Sequence, residues 1–202
     1  MPIKCVFFDF DGVLRTWHYD EQRFQDEFGI PIEAFREVAF AKEHVNPAIC
    51  GHVTNEEWRA GVGEVLKERY PADKVDAAIA DWNQRNGKLI PEVIAIAEEC
   101  KVKLPVALFT NATTRLPWEM EQHGLTDFFD YVVNASETGF VKPEPEIYEY
   151  AANLAGIEHH EAFFTDDGIA QVEGARKLGW TAHHFKNADG LRAALVEAGV
   201  LA

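Results

Sequence analysis

Short apolar runs that stop at a polar residue recur along the chain: Cys5-Val6-Phe7-Phe8 before Asp9, Val106-Ala107-Leu108-Phe109 before Thr110, and Ala162-Phe163-Phe164 before Thr165-Asp166. No polar residue alternates through them, which is how strands buried on both faces of a parallel sheet read. Tyr131-Val132-Val133 and the stretch from Thr181 to Phe185 are weaker examples of the same pattern. Between the runs the apolar spacing becomes helical. Pro91 heads a segment through Ala97, Pro143 or Pro145 heads one through Leu154, and the segment from Ile169 to Leu178 stops at Gly179. Proline in a first turn and glycine just past a last one are helix punctuation. Strands and helices alternating at this length predict an α/β fold built on a doubly wound sheet.

Residues 15 to 86 break that rhythm, being helical by pattern with no convincing strand. Phe24, Phe28, Phe35, Val38 and Phe40 sit among acidic residues as a core stripe. Thr54-Asn55-Glu56-Glu57 is a capping box before Trp58, and a second helical stretch runs from Pro71 to Trp82. The block predicts an all-helical insertion after the first strand, forming a small cap over the site.

Composition narrows the partners. The 202 residues suit one domain with a modest insertion, and 47% hydrophobic with 26% charged residues is the balance of an ordinary globular protein. Against 34 Asp and Glu stand 19 Lys and Arg, a formal net charge of -15 that repels a phosphate backbone, so nucleic acid is excluded as a partner. No apolar run reaches the roughly 20 residues needed to span a bilayer, so no membrane partner is expected. The N-terminus enters a strand-like run without an export signal, which points to the cytoplasm. Cys5, Cys50 and Cys100 are odd in number and far apart, and are expected as reduced core thiols.

Polar residues just beyond the strand-like runs carry the chemistry: Asp9 and Asp11, Thr110, Lys142 in a loop after the fourth run, and Asp166 with Asp167. In an open parallel sheet these converge on the crevice outside the carboxyl ends of the strands. An extended chain from Asp9 to Asp11 would aim both carboxylates to one side. Several carboxylates cannot share such a crevice without a cation, and an all-oxygen set with few protein ligands suits Mg²⁺. With Mg²⁺ and Lys142 these are parts for phosphoryl transfer. Asp9 can attack phosphorus and become an aspartyl phosphate, and Asp11 can protonate the leaving oxygen and later activate water. Gly12 lets the backbone turn away and approach the phosphate closely.

In order, Phe8-Asp9-Phe10-Asp11-Gly12-Val13-Leu14, Leu108-Phe109-Thr110-Asn111-Ala112, Gly139-Phe140-Val141-Lys142-Pro143 and Phe163-Phe164-Thr165-Asp166-Asp167 resemble the four motifs of the haloacid dehalogenase-like hydrolase superfamily. The resemblance covers nearly the whole chain. It implies a Rossmann-like core of residues 1–14 and 87–202, a helical cap of residues 15–86, Mg²⁺ dependence and hydrolysis of a small phosphate ester. It carries the nucleophile to Asp9, the acid/base to Asp11, phosphate contacts to Thr110 and Lys142, and metal ligation to Asp9, the main-chain carbonyl of Asp11 and an Asp of the fourth motif; Gly12 and Asn111, their neighbours, are also expected at the substrate. Aligning Asp167-Gly168-Ile169 with the family's Asp-Ser-x pattern makes Asp167 the direct ligand and leaves Asp166 behind it or orienting Lys142; the two roles can also be exchanged. Gly51 to Trp58, Leu89 to Ile94 and Asp166 to Ala170 resemble the branch containing sugar-1-phosphate phosphatases and the N-terminal phosphatase domain of soluble epoxide hydrolase.

Two rival readings share these motifs: a sugar phosphomutase, and a catalytically silent binding protein that keeps the fold. Dehalogenation fits less well, because that branch lacks an acid at the position of Asp11. Trp17 and His18 either line the substrate entrance or pack beneath the cap. His159-His160 and His183-His184 are read as surface or loop residues, since neighbours on a strand point to opposite faces. Arg15, Arg85 and Arg115 are read as surface charge.

Overall fold

Cys5–Phe8 (β1) is wholly buried and pairs in parallel with a strand on either side. These and the other features belong to a computed structural model that describes residues 2–18 and 20–202. A two-residue strand, Arg15–Thr16 (β2), follows β1. Then come five helices, Glu21–Phe28 (α1), Ile32–Ala39 (α2), Lys42–Ile49 (α3), Asn55–Lys67 (α4) and Ala72–Gln84 (α5), and a second short strand, Lys88–Leu89 (β3). The remaining chain runs Pro91–Lys101 (α6), Val106–Thr110 (β4), Leu116–Gln122 (α7), Tyr131–Asn134 (β5) and Ala135–Thr138 (α8). It continues through Pro145–Ala155 (α9), Ala162–Asp166 (β6), Ile169–Lys177 (α10), Thr181–His184 (β7) and Ala188–Glu197 (α11).

The main sheet has the order β5-β4-β1-β6-β7, with every pair parallel. The chain leaves β1 toward β4 and later returns to β6 on the other side, so the order reverses about the central strand and opens a crevice at its carboxyl end. Period-two alternation sorts the apolar runs into two layers. Val6, Phe8, Val106, Leu108 and Phe163 pack with α6, α7 and α11, whereas Cys5, Phe7, Ala107, Phe109 and Phe164 pack with α9 and α10. The fold is the expected α/β, Rossmann-like one. Cys5 and Cys100 lie in these layers, where burial pushes both thiols up to about 12. Cys50, expected in the core as well, is only half-buried.

The five helices between β2 and β3 enclose a core of their own, in which Phe24, Phe35, Trp82 and Trp58 form a chain of edge-to-face rings 4.9 to 5.3 Å apart. Thr54 and Glu57 complete the capping box at the start of α4. Two expectations need correction. Phe40 lies past the end of α2 and is 54% exposed, so the phenylalanine stripe is not wholly core. The block is also not purely helical at its ends, because β2 pairs antiparallel with β3, Arg15 facing Leu89 and Thr16 facing Lys88. The helical block rests directly on the sheet layer: the Asn55 backbone N–H donates to Thr114 Oγ1 at 2.9 Å, and Gly51 lies against the Ser136 carbonyl. Among the described residues no helix is long and apolar enough to cross a membrane.

Candidate active site

Sheet register builds the centre of the site. Phe8 is paired with Leu108 on one side and Thr165 on the other, so Asp9, one residue on, stands level with Phe109 and Asp166. By the same alternation Asp9 and Asp166 share the face of Phe7, Phe109 and Phe164, where the loop before α9 brings in Lys142. The Lys142 ammonium donates to Asp9 Oδ1 at 2.8 Å, Asp166 Oδ2 at 2.6 Å and the Phe109 carbonyl at 2.8 Å, using all three of its protons. The flanking Phe109 and Phe164 rings have centroids 5.0 and 5.1 Å away.

These charges are buried and depend on one another. Burial pushes the Asp9 carboxyl up to about 7, with Lys142 pulling it down and Asp166 adding to the rise. For Lys142 burial acts downward, but the two carboxylates outweigh it and the net shift is upward. Asp166 is held at both oxygens, since its Oδ1 also accepts the Gly168 N–H at 2.7 Å. Asp167 is exposed, and its carboxyl is raised by partial burial and by Asp166.

Asp9, Asp166 and Asp167 each offer a carboxylate oxygen within 4.8 Å of the others. Gly12 closes one side at φ +89°, and a Cβ there would fall 2.3 Å from Asp167 Oδ2. A cavity of about 120 Å³ lies here, bounded also by Asp11, Thr110, Asn111 and Lys142. Three clustered carboxylates around a small polar space, with neither sulfur nor imidazole among them, fit a hard divalent cation. Asn111, expected at the phosphate, lines this cavity and also holds the lysine loop: its Nδ2 donates to the Lys142 carbonyl at 2.9 Å and its Oδ1 accepts the Lys142 N–H at 2.8 Å.

Asp11 departs from the expected direction. The chain stays on the ladder through Asp9, whose N–H donates to the Thr165 carbonyl at 3.0 Å, and turns from Phe10, with the N–H groups of Leu14 and Arg15 both donating to the Phe10 carbonyl. The Asp11 carboxylate therefore lies outside the acidic cluster. It accepts from Arg15 Nε at 2.7 Å and Nη2 at 3.0 Å, and from Trp17 Nε1 at 2.7 Å. Arg15 is no surface charge: it is 1% exposed, lies over the Phe10 ring at 4.0 Å, and reaches Glu119 at 3.0 Å and the Asn86 side chain at 3.1 Å. The one signal for it in the sequence is its position four residues after Asp11. Trp17 is half-buried and lines a second cavity, of about 260 Å³, that meets the first at Asp11 and Asn111. His18 is exposed. The His184 ring contacts the Asp167 carbonyl at 2.9 Å from behind, while His159 accepts the Trp180 indole N–H at 2.7 Å away from the site.

Residues 3–179 match the model of a family described as haloacid dehalogenase-like hydrolase. A protein named sesquiterpene phosphatase astK from Aspergillus oryzae (strain ATCC 42149 / RIB 40) is 25% identical over 188 residues, covering 90% of this chain and 89% of the relative. Bifunctional epoxide hydrolase 2 of Mus musculus is 31% identical over 205 residues, covering 89% of this chain but only 36% of the relative. The Bacteroides thetaiotaomicron HAD family enzyme bt-2542, solved in complex with magnesium and inorganic phosphate, has the same fold: TM-score 0.70 at 23% identity, over 91% of this chain and 94% of that one.

Proposed function

The chain belongs to the haloacid dehalogenase-like hydrolases, and from that membership and the geometry of the site we propose that it is a magnesium-dependent phosphatase of small phosphate monoesters. The observation that carries this reading is the buried Lys142 ammonium joining Asp9 and Asp166 at 2.8 and 2.6 Å. That arrangement sets a carboxylate nucleophile beside a fixed positive charge, at a small cavity with room for a phosphoryl group. A phosphatase among the relatives and a neighbour of the same fold solved with magnesium and phosphate support it.

In this reading Asp9 and Asp167, with the main-chain carbonyl of Asp11, hold the metal ion, and Asp166 keeps Lys142 in place. Bound there, Mg²⁺ supplies positive charge against the acidic cluster and the phosphoryl oxygens. An Asp9 carboxylate oxygen forms a bond to phosphorus as the bond to the alcohol oxygen breaks, and Asp11 gives that oxygen its proton. Asp11 then takes a proton from water, whose oxygen displaces Asp9 and releases inorganic phosphate. Lys142 contributes its fixed positive charge beside the phosphoryl group, and the Thr110 hydroxyl donates to a non-bridging oxygen. Residues 15–86 act as the cap, covering the leaving group and excluding bulk water.

The protein is expected to hydrolyse p-nitrophenyl phosphate with Mg²⁺ and to stop when EDTA is added. Asp9→Asn is expected to lower kcat by a factor on the order of 10⁴ with an unchanged circular dichroism spectrum. Full activity in that variant would remove Asp9 from the mechanism, and conversion of glucose 1-phosphate into an isomeric sugar phosphate without release of inorganic phosphate would point to a mutase.

A further inference from the structure

The larger cavity differs in character from the small one it joins. Its apolar wall comes from Trp17 and from five residues of the helical block, Phe40, Val45, Ile49, Trp58 and Trp82. Among the described residues its charged, amide and hydroxyl side chains each already make contacts within the protein. Thr113 Oγ1 donates to Asn55 Oδ1 at 3.2 Å, and each end of the Asn111 amide makes one bond to Lys142. Arg15 is divided among Asp11, Glu119 and Asn86, and Arg59 donates to the Trp82 carbonyl at 2.9 Å and to Asn83 Oδ1 at 3.0 Å. The Trp58 indole N–H is taken by the Ala39 carbonyl at 3.0 Å, and that of Trp17 by Asp11.

A sugar or polyol placed here would exchange water mostly for ring faces and methyl groups, with the Asp11 and Glu119 carboxylates to accept from only a few of its hydroxyls. An alkyl or aryl group would lose nothing and gain the transfer free energy of its carbons. Asp11 stands where the two cavities meet, so a phosphoryl group in the smaller one directs its alcohol into the larger. Building on the phosphatase reading above, we infer that the substrates are phosphate monoesters of small apolar alcohols, alkyl, alkenyl or aryl, rather than sugar or polyol phosphates. The volume of about 260 Å³ equals that of roughly nine waters, which sets the leaving group at roughly five to eight carbons.

The test compares ethyl, butyl, hexyl, phenyl and dodecyl phosphate with glycerol 3-phosphate and glucose 1-phosphate, following inorganic phosphate release with Mg²⁺. kcat/KM is expected to rise about fourfold per methylene, the equivalent of about 0.8 kcal/mol, from ethyl to hexyl, to level off or fall by dodecyl, and to be at least a hundredfold lower for glucose 1-phosphate than for hexyl phosphate. Ile49→Phe, which narrows the chamber, is expected to move the optimum toward butyl phosphate. Binding to Asp9→Asn, read from tryptophan fluorescence because Trp17, Trp58 and Trp82 line the chamber, is expected to favour hexyl over glucose 1-phosphate at least tenfold, independently of turnover. Hydrolysis with equal or better use of the sugar ester would overturn this inference and leave the phosphatase reading standing. No turnover of any ester would overturn the phosphatase reading, with the fluorescence preference then deciding the chemistry of the chamber.

Discussion

Burial pushes the Asp9 carboxyl up to about 7 against the pull of Lys142, whereas an unfolded aspartate titrates near 3.9. The folded, metal-free protein therefore holds a proton there that the unfolded chain has already lost. This contribution favours folding below about pH 4 and is lost as pH rises from about 4 to about 7. In EDTA the melting temperature of the wild type, taken relative to Asp9→Asn, is expected to fall across that window, and a constant difference would refute the assignment. A cation in the cluster needs Asp9 ionised, so Mg²⁺ affinity by titration calorimetry is expected to rise by up to tenfold per pH unit below about 7 and level off above it. Asp11 shows what one residue's neighbours decide. Its spacing from Asp9 suggests a shared direction, but the turn from Phe10 and the buried Arg15 guanidinium draw its carboxylate away.

Among the elements, the β2–β3 ribbon carries more than its four residues suggest. Through Arg15 it ties Asp11 to Glu119 on α7 and to Asn86 just before β3. Arg15→Met keeps much of the side-chain volume but leaves Glu119, 6% exposed, without its closer cation. The expected cost is about 3 kcal/mol, seen as a lower midpoint in urea unfolding, and a loss below about 0.5 kcal/mol would mean the pair contributes little. Sequence pattern was informative at this scale wherever burial is two-sided. Val6 to Phe8, Val106 to Phe109 and Phe163 to Phe164 read as strands because both their faces are covered. Lys142, Asp9 and Asp166 could be grouped from motif order alone. The ribbon cannot be read, since two residues display no period, and Arg15 reads as surface charge because the residues that bury it, Glu119 and Asn86 among them, come from distant parts of the chain. Asn111 follows Thr110 to the small cavity, and nothing in the sequence shows that its amide also fixes the lysine loop.

For the molecule as a whole, the fit between helical block and sheet layer determines how closed the larger cavity is. Gly51, at φ +72°, touches the corner after β5 so closely that a Cβ would lie 2.0 Å from the Ser136 carbonyl oxygen. Gly51→Ala adds left-handed strain and a backbone clash, together costing roughly 1–3 kcal/mol. It is expected to lower the melting temperature and to raise KM for hexyl phosphate more than for ethyl phosphate. Unchanged values for both would show that the contact is not needed to shape the chamber. The ribbon has a broader consequence. Because Thr16 faces Lys88, the polypeptide enters and leaves the helical block at neighbouring points on one stem. A segment that enters and leaves on one stem imposes no register on the main sheet, so, under the proposal that it selects the leaving group, exchanging it for a homologous segment that keeps the Asn55 and Gly51 contacts is the change that least disturbs Asp9, Lys142 and Asp166.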